Sequence, residues 1–214
     1  MARWAIGLGL SVGVALALCA AQPASAVDPR YPDWPCQQLK VPGISLASVW
    51  TGPSIEVIDK TRPLDATEVD LVSRLAARRT PMEDARKLIA DFVTGTKEER
   101  QEKAKSLFAA LFATLDAQRD DVMRGIERFS RKQKDMAEEI RARTRKMQEL
   151  QDAPNADAAQ IDALASQLSW ETRVFDDRRK STAYVCEVPV LIEKRLFDLG
   201  SAIQSAATTD PPAK

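Results

Sequence analysis

The fold is decided by the stretch LFAALFATLDAQRDDVMRGIERFSRKQKDMAEEI, residues 107–140. Apolar side chains return here at alternating steps of three and four residues, which places them on one stripe of an α-helix. The stripe continues on both sides, and its two rows are Phe108, Leu115, Val122, Phe129, Met136, Arg143 and Leu150, and Phe112, Arg119, Ile126, Gln133, Ile140 and Met147. A repeat held over so many heptads predicts a long coiled-coil helix.

A second stripe of the same kind follows after residues 152–155. Its rows are Ile161, Leu168, Phe175, Thr182, Pro189, Leu196 and Ile203, and Leu164, Glu171, Arg178, Val185, Ile192 and Leu199. The two stripes have similar lengths on either side of one proline-containing break, so they predict an antiparallel hairpin of helices 97–152 and 156–207. Pro189 lacks a backbone donor, and we expect it to kink or interrupt the second helix near Val185.

Two short helices, 65–79 and 81–94, are predicted before the hairpin. The two short helices and the first long helix each begin with a capping signal, in which a polar side chain at the N-cap is followed three residues later by glutamate. The pairs are Asp65 with Glu68, Thr80 with Glu83, and Thr96 with Glu99. The hairpin stripe is widest at residues 107–115 and 188–199, which lie at the same end. The predicted fold is therefore all-α: a long antiparallel helical hairpin (coiled coil) with the two short helices packed at its base.

Residues 27–64 are rich in proline, which forbids a long helix, yet they are too apolar for a disordered linker. We predict an extended strap packed on the base, with one helical turn at residues 45–50 and a strand-like piece at residues 55–58. Trp34 and Trp50 are interpreted as core residues of this strap. The alternative is that they line a ligand pocket beneath it.

The N-terminus has the features of a signal peptide, predicted for residues 1–26. Arg3 precedes an apolar run over residues 6–21, and residues 24–26 form an A-x-A cleavage site. Lipidation at Cys19 is an alternative, although Leu18 occupies the preceding position, where a small residue is required. The prediction is a periplasmic protein with no transmembrane segment after signal cleavage. Residues 208–214 are predicted to form a flexible tail.

Cleavage would leave two cysteines, Cys36 and Cys186. A pair of this kind in an oxidising compartment predicts a disulfide. A redox pair or a metal-binding pair is the alternative, but redox motifs usually have the close spacing C-x-x-C.

The amino-acid composition excludes several classes of function. The sequence has no histidine, which excludes serine–histidine and cysteine–histidine catalysis and removes a common metal ligand. Its 31 basic and 31 acidic residues give no net charge that would attract nucleic acid. No glycine-rich phosphate loop or zinc ligand set is present, and no cofactor or metal is predicted. Catalysis by carboxylates alone is compatible with this composition.

The first long helix carries a concentration of basic residues that is the candidate interaction surface: Arg128, Arg131, Lys132, Lys134, Arg141, Arg145 and Lys146. The preferred interpretation is that acidic residues on the returning helix neutralise them; the candidates are Asp157, Asp162, Glu171, Asp176 and Asp177. The alternative is a docking surface for an acidic partner, a lipid headgroup or a polyanion.

The leading functional hypothesis is an exported, non-enzymatic interaction module, namely an adaptor, scaffold or holdase-like binder. It would bind a protein partner, or a second copy, through the hairpin arm. The rival is a ligand-binding or accessory subunit of an envelope complex with a pocket under the strap, and a carboxylate-based enzyme ranks third. The layout resembles that of periplasmic chaperones with helical arms, although no motif assigns the chain to a family.

Overall fold

The computed structural model describes residues 28–55 and 64–209. These residues form five α-helices and no β-strand: α1 (Leu46–Val49), α2 (Ala66–Ala76), α3 (Met82–Phe92), α4 (Lys97–Gln151) and α5 (Ala158–Thr208). The predicted signal peptide, the candidate lipidation site Cys19 and most of the C-terminal tail lie outside the described residues. The same holds for the predicted strand-like piece, apart from Ile55.

Helices α4 and α5 form the predicted antiparallel hairpin. They contain 55 and 51 residues, which at 1.5 Å per residue makes each about 75–85 Å long. Gln133 donates to the carbonyl of Phe175 at 3.2 Å, and Arg119 pairs with Glu193 at 2.5 Å. Contacts that move backward along one helix as they move forward along the other define the antiparallel direction.

Two of the three predicted capping pairs form. The Asp65 and Thr96 side chains accept from the amides of Glu68 and Glu99, whose carboxylates accept from the cap amides in return. The predicted Thr80–Glu83 pair is wrong. Helix α3 begins only at Met82, so the N-cap position falls on Pro81, whose side chain has no acceptor.

The base is a single core shared by α2, α3, the first part of α4 and the last part of α5, together with the strap. It confirms that the two wide apolar faces meet at one end of the hairpin. Its largest fully buried side chains are Leu75, Ile89, Phe108, Leu111, Leu115, Leu196, Leu199 and Ile203. Each buried side chain of this size contributes roughly 1.5–3 kcal/mol of transfer free energy.

Helix α5 continues unbroken through Pro189, so the predicted interruption near Val185 does not occur. Pro189 is buried, as are Cys186 and Ile192 on either side of it. Proline in a helix interior costs about 3 kcal/mol. Burial of the neighbouring apolar side chains and the disulfide at Cys186 offset this cost and hold the helix together.

The strap crosses α4 and α5 at the base. Residues 46–49 form the predicted single helical turn, α1. Trp34, Val49, Trp50 and Ile55 are its buried residues. No helix in the described ranges combines the length and the hydropathy that crossing a membrane requires.

Candidate functional site

The predicted disulfide is present between Cys36 of the strap and Cys186 of α5. Their Cα atoms lie 5.6 Å apart, across 150 positions of sequence, and this distance is typical of disulfides. We define the arm as residues 127–180, the outer part of the hairpin. The disulfide therefore links the strap to α5 at the boundary between the base and the arm.

Several non-covalent contacts hold the strap on either side of the disulfide. Trp34 packs on Met123 and Ile126 of α4, and its indole N–H donates to the carbonyl of Gln38 at 2.8 Å. The buried Arg119 donates from Nη2 to the carbonyl of Val41 at 2.7 Å. These contacts fix the strap against α4 without the covalent bond.

The two candidate pocket residues lie in separate packing clusters. Trp50 belongs to the core of the base, where its ring stacks on Phe108 with a centroid separation of 4.2 Å and an interplanar angle of 15°. Trp34 belongs to the smaller cluster with Met123 and Ile126. Both are buried. The structure therefore does not bring them together, and both act as packing residues.

All seven residues of the predicted basic surface are exposed. Two of them are held by the strap, since Asp33 pairs with Arg131 at 3.1 Å and with Lys134 at 2.9 Å. Lys134 also donates to the carbonyl of Pro32 at 2.7 Å. Hydrogen bonds from Lys134 and then Arg131 lower the pKa of Asp33 below its usual value. Among the described residues, Arg131 and Lys134 are the members of the basic surface that pair with a segment distant in sequence.

The prediction that acidic residues of the returning helix neutralise the basic residues of α4 is wrong for four of the five proposed carboxylates. In the described ranges, Glu171 is the only one of the five proposed carboxylates that pairs with α4, and its partner is Arg143, at 2.9 Å. Asp176 and Asp177 pair within α5, and Asp157 caps that helix. Neighbours one turn away compete successfully because i,i+3 and i,i+4 partners on the same helix are always within reach.

The other basic residues of this surface either form ion pairs within α4 or form none with a described residue. Arg141 pairs with Glu138, and Lys146 with Glu149 at 3.7 Å, both within α4. Arg128, Lys132 and Arg145 make no ion pair with any residue in 28–55 or 64–209. Arg128 and Lys132 line a shallow depression of about 460 Å³, together with Asp33, Arg131, Lys134 and Asp135. Four of its six lining residues are basic.

A cleft that the sequence did not locate lies beside the disulfide, and we call it the disulfide cleft. Phe129, Ser130 and Gln133 of α4 face Phe175, Thr182 and Cys186 of α5 across a cavity of about 540 Å³, and strap residues 35–38 form one side of it. The signal for it was present, because Gln133 and Thr182 are polar residues inside the apolar stripes. We interpret the cavity as a place where the two helices lack apolar side chains to fill the space between them.

A row of exposed apolar residues on α5 was also missed. Trp170, Tyr184 and Leu191 are 65%, 75% and 45% exposed. Their spacings of 14 and 7 residues place them on one side of the helix, outside both rows of the hairpin stripe. In the sequence, this row could have been recognised from aromatic residues at multiples of seven that lie outside the apolar stripe.

The described residues contain no group of three or more side chains suited to holding a metal ion. The chain matches no protein-family model, no curated protein and no solved structure.

Proposed function

We propose that this protein is an exported, non-enzymatic helical interaction module, acting as an adaptor, scaffold or holdase-like binder through its arm. The observation that supports this most is the exposed basic surface of α4, which the returning helix leaves largely unneutralised. The A-x-A site near residue 26 and the Cys36–Cys186 disulfide support export, since disulfides persist in oxidising compartments.

The partner that fits this surface is an acidic protein. Arg128 and Lys132 lie one helical turn apart and have no ion pair with a described residue, and Arg131 and Lys134 are oriented beside them by Asp33. A partner carboxylate would meet guanidinium and ammonium donors that are already positioned, which lowers the entropy lost on docking. Such a surface also accelerates association in a salt-dependent way.

The exposed aromatic residues of α5 support the same proposal. Trp and Tyr are enriched at the centres of protein interfaces, where they bury a large area at a low cost in side-chain entropy. Trp170 lies on the arm, and Tyr184 lies just beyond it toward the base. The arm and its root therefore offer both charge and apolar area.

A charge-reversal variant tests the docking surface. We expect Arg128→Glu with Lys132→Glu to abolish salt-sensitive capture of acidic envelope proteins by the immobilised mature protein. The matched control is Arg86→Glu with Lys87→Glu, which makes the same charge change on exposed residues of α3 in the base. If both variants captured acidic proteins equally well, the basic surface would not be the docking site.

Ligand binding beneath the strap is the second candidate function. The disulfide cleft favours it, because strap residues 35–38 form one side of a cavity of ligand size. The site is not the one predicted from Trp34 and Trp50, which are packed elsewhere.

A further inference from the structure

We propose that the disulfide cleft binds a short peptide of about three residues with free termini and a central apolar side chain. The proposal rests on the second candidate function and is independent of docking through the basic surface. It is carried by the juxtaposition of Phe129, Phe175, an unpaired amide oxygen on Gln133, and the opposite charges of Arg179 and Glu187.

The cleft lies between the buried cluster next to the base and the outer part of the arm. On the base side, Trp34, Met123 and Ile126 form a tight cluster. On the arm side, Leu168 is buried. Between them, Phe129 and Phe175 are only partly covered although both belong to the apolar rows. At about 540 Å³, the cavity is in the range of small-molecule sites, and its two phenyl rings would contact an apolar side chain.

Two polar groups of the cleft, the amide oxygen of Gln133 and the hydroxyl of Ser130, have no hydrogen-bond partner among the described residues. Gln133 donates from Nε2 to the carbonyl of Phe175, which leaves its Oε1 buried and without a hydrogen-bond partner. Ser130 is 8% exposed, and its hydroxyl makes no side-chain hydrogen bond in the described part of the chain. Buried polar groups are nearly always paired. Rotation of the Gln133 side chain toward the cleft would bring this oxygen within reach of a ligand that carries N–H donors, as a peptide backbone does.

Two opposite charges on α5 specify the ends of the ligand. Arg179 and Glu187 both line the cleft and are exposed. Their positions on α5 place their Cα atoms about 12 Å apart along the axis. Glu187 makes no ion pair within residues 28–55 or 64–209, and Arg179 pairs only with Asp176, at 3.3 Å. Three extended residues span about 10 Å, so a tripeptide would place its ammonium at Glu187 and its carboxylate at Arg179.

The test is isothermal titration calorimetry of the oxidised mature protein with the tripeptide Ala-Phe-Ala. We expect saturable binding of the peptide with free termini, and affinity at least about tenfold weaker when both termini are blocked by acetyl and amide groups. Arg179→Gln and Glu187→Gln should each weaken binding of the free peptide by up to about fivefold, as exposed ion pairs do. Neither change should affect the blocked peptide.

Two further variants separate binding from folding. Gln133→Leu removes the unpaired acceptor and should reduce affinity for both peptides. Ala183→Trp adds bulk from an exposed position that lines the cleft, and it should abolish binding. Its matched control, Ala165→Trp, makes the same change at an exposed position of α5 that does not line the cleft, and should bind as the unaltered protein does. Circular dichroism verifies that each variant is folded.

Three results would overturn the proposal: no binding heat at millimolar peptide, equal binding of the free and blocked peptides, or unchanged binding by folded Ala183→Trp. The pair Arg128→Glu with Lys132→Glu should bind the tripeptide normally, because neither residue lines the cleft. The tripeptide titration therefore tests the peptide site, and the capture experiment tests the docking surface separately.

Discussion

At the scale of single residues, Gly200 shows how closely the strap packs on the hairpin. A Cβ at this position would lie 2.5 Å from the backbone oxygen of Val49 and 2.9 Å from Cε2 of Phe108. Neither neighbour can move easily, because one is backbone and the other is a fully buried ring. The absence of a side chain at Gly200 is thus what lets α1 approach α5.

We expect Gly200→Ala to destabilise the protein by about 1–2 kcal/mol. Overpacking costs roughly 1–3 kcal/mol, and the higher helix propensity of alanine returns up to about 1 kcal/mol. The control is Gly125→Ala in α4, where the nearest atom to an added Cβ is Arg128 Nη2, at 3.8 Å. That change should stabilise the protein. Urea unfolding measures both, and a stabilising Gly200→Ala would contradict the close packing.

Asp33 gives the strap a dependence on pH. Its pKa is lowered in the folded protein by hydrogen bonds from Lys134 and Arg131. A lowered folded-state pKa means that the stabilisation is complete above the ordinary aspartate value, near 3.9, and is lost as the pH falls through the lower folded value. We expect acidification through this range to loosen strap residues near Asp33.

The measurement is amide hydrogen exchange of strap residues near Asp33 on both sides of this pH range, each corrected for the intrinsic exchange rate. Asp33→Asn should show the looser exchange already at neutral pH and should change little on acidification. Unchanged protection in the variant would show that the disulfide and Trp34 alone hold this part of the strap.

At the scale of elements, helix α2 ends where Arg195 of α5 reaches it. Arg195 donates from Nε to the carbonyl of Leu75 at 2.8 Å and from Nη1 to that of Thr80 at 3.0 Å. The guanidinium therefore satisfies the orphan carbonyl of Leu75 in the last turn of α2 and the carbonyl of Thr80 in the connection to α3. Burial lowers the pKa of Arg195 from its usual value. The helix stops at Ala76, short of the predicted residue 79, because a residue far away in sequence completes its C-terminus.

We expect Arg195→Met to cost about 2–3 kcal/mol, since hydrogen bonds to charged groups are worth roughly 1.5–3 kcal/mol and their loss leaves carbonyls unpaired. The matched control is Lys194→Met, which removes only an exposed pair with Asp198 at 3.1 Å. Such pairs contribute about 0–1 kcal/mol. Urea denaturation compares the two, and similar losses would argue against a capping role for Arg195.

At the scale of the whole molecule, the base and the arm differ in how they are stabilised. The base buries a core shared by four helices and the strap, whereas the arm is a two-stranded pair. The strap joins them at the boundary through the disulfide and through Asp33. The arm should therefore be removable without unfolding the base.

We expect deletion of two heptads from each helix, residues 131–144 and 170–183, to leave a folded base with its disulfide intact. Removing whole heptads keeps the stripes in register, and contacts such as Arg143 with Glu171 show that these segments face each other. The shortened protein should lose partner capture and tripeptide binding. Circular dichroism and nonreducing mass spectrometry check the fold. If the shortened protein captured every partner of the full-length chain, the arm would be only a spacer.

Local physics made most of the architecture predictable. Heptad spacing indicated the long helices, because side chains three and four residues apart always share a helix face. The capping pairs at Asp65 and Thr96 were read correctly because they involve groups within one turn. The disulfide was predicted from the expectation that signal cleavage leaves two cysteines in an oxidising compartment, with no geometry required.

The tertiary structure decided what depends on groups brought together from distant parts of the chain. Nothing periodic in the strap indicates that Asp33 meets Lys134, or that Gln133 and Phe175 border a cavity beside Cys36. The sequence by itself determined the helices, their hairpin and their covalent tie, since these follow from spacing and composition. The ion pairs of the basic surface, the cleft and the placement of Trp34 and Trp50 in separate clusters required the tertiary structure, because ion pairing and packing depend on distance in space.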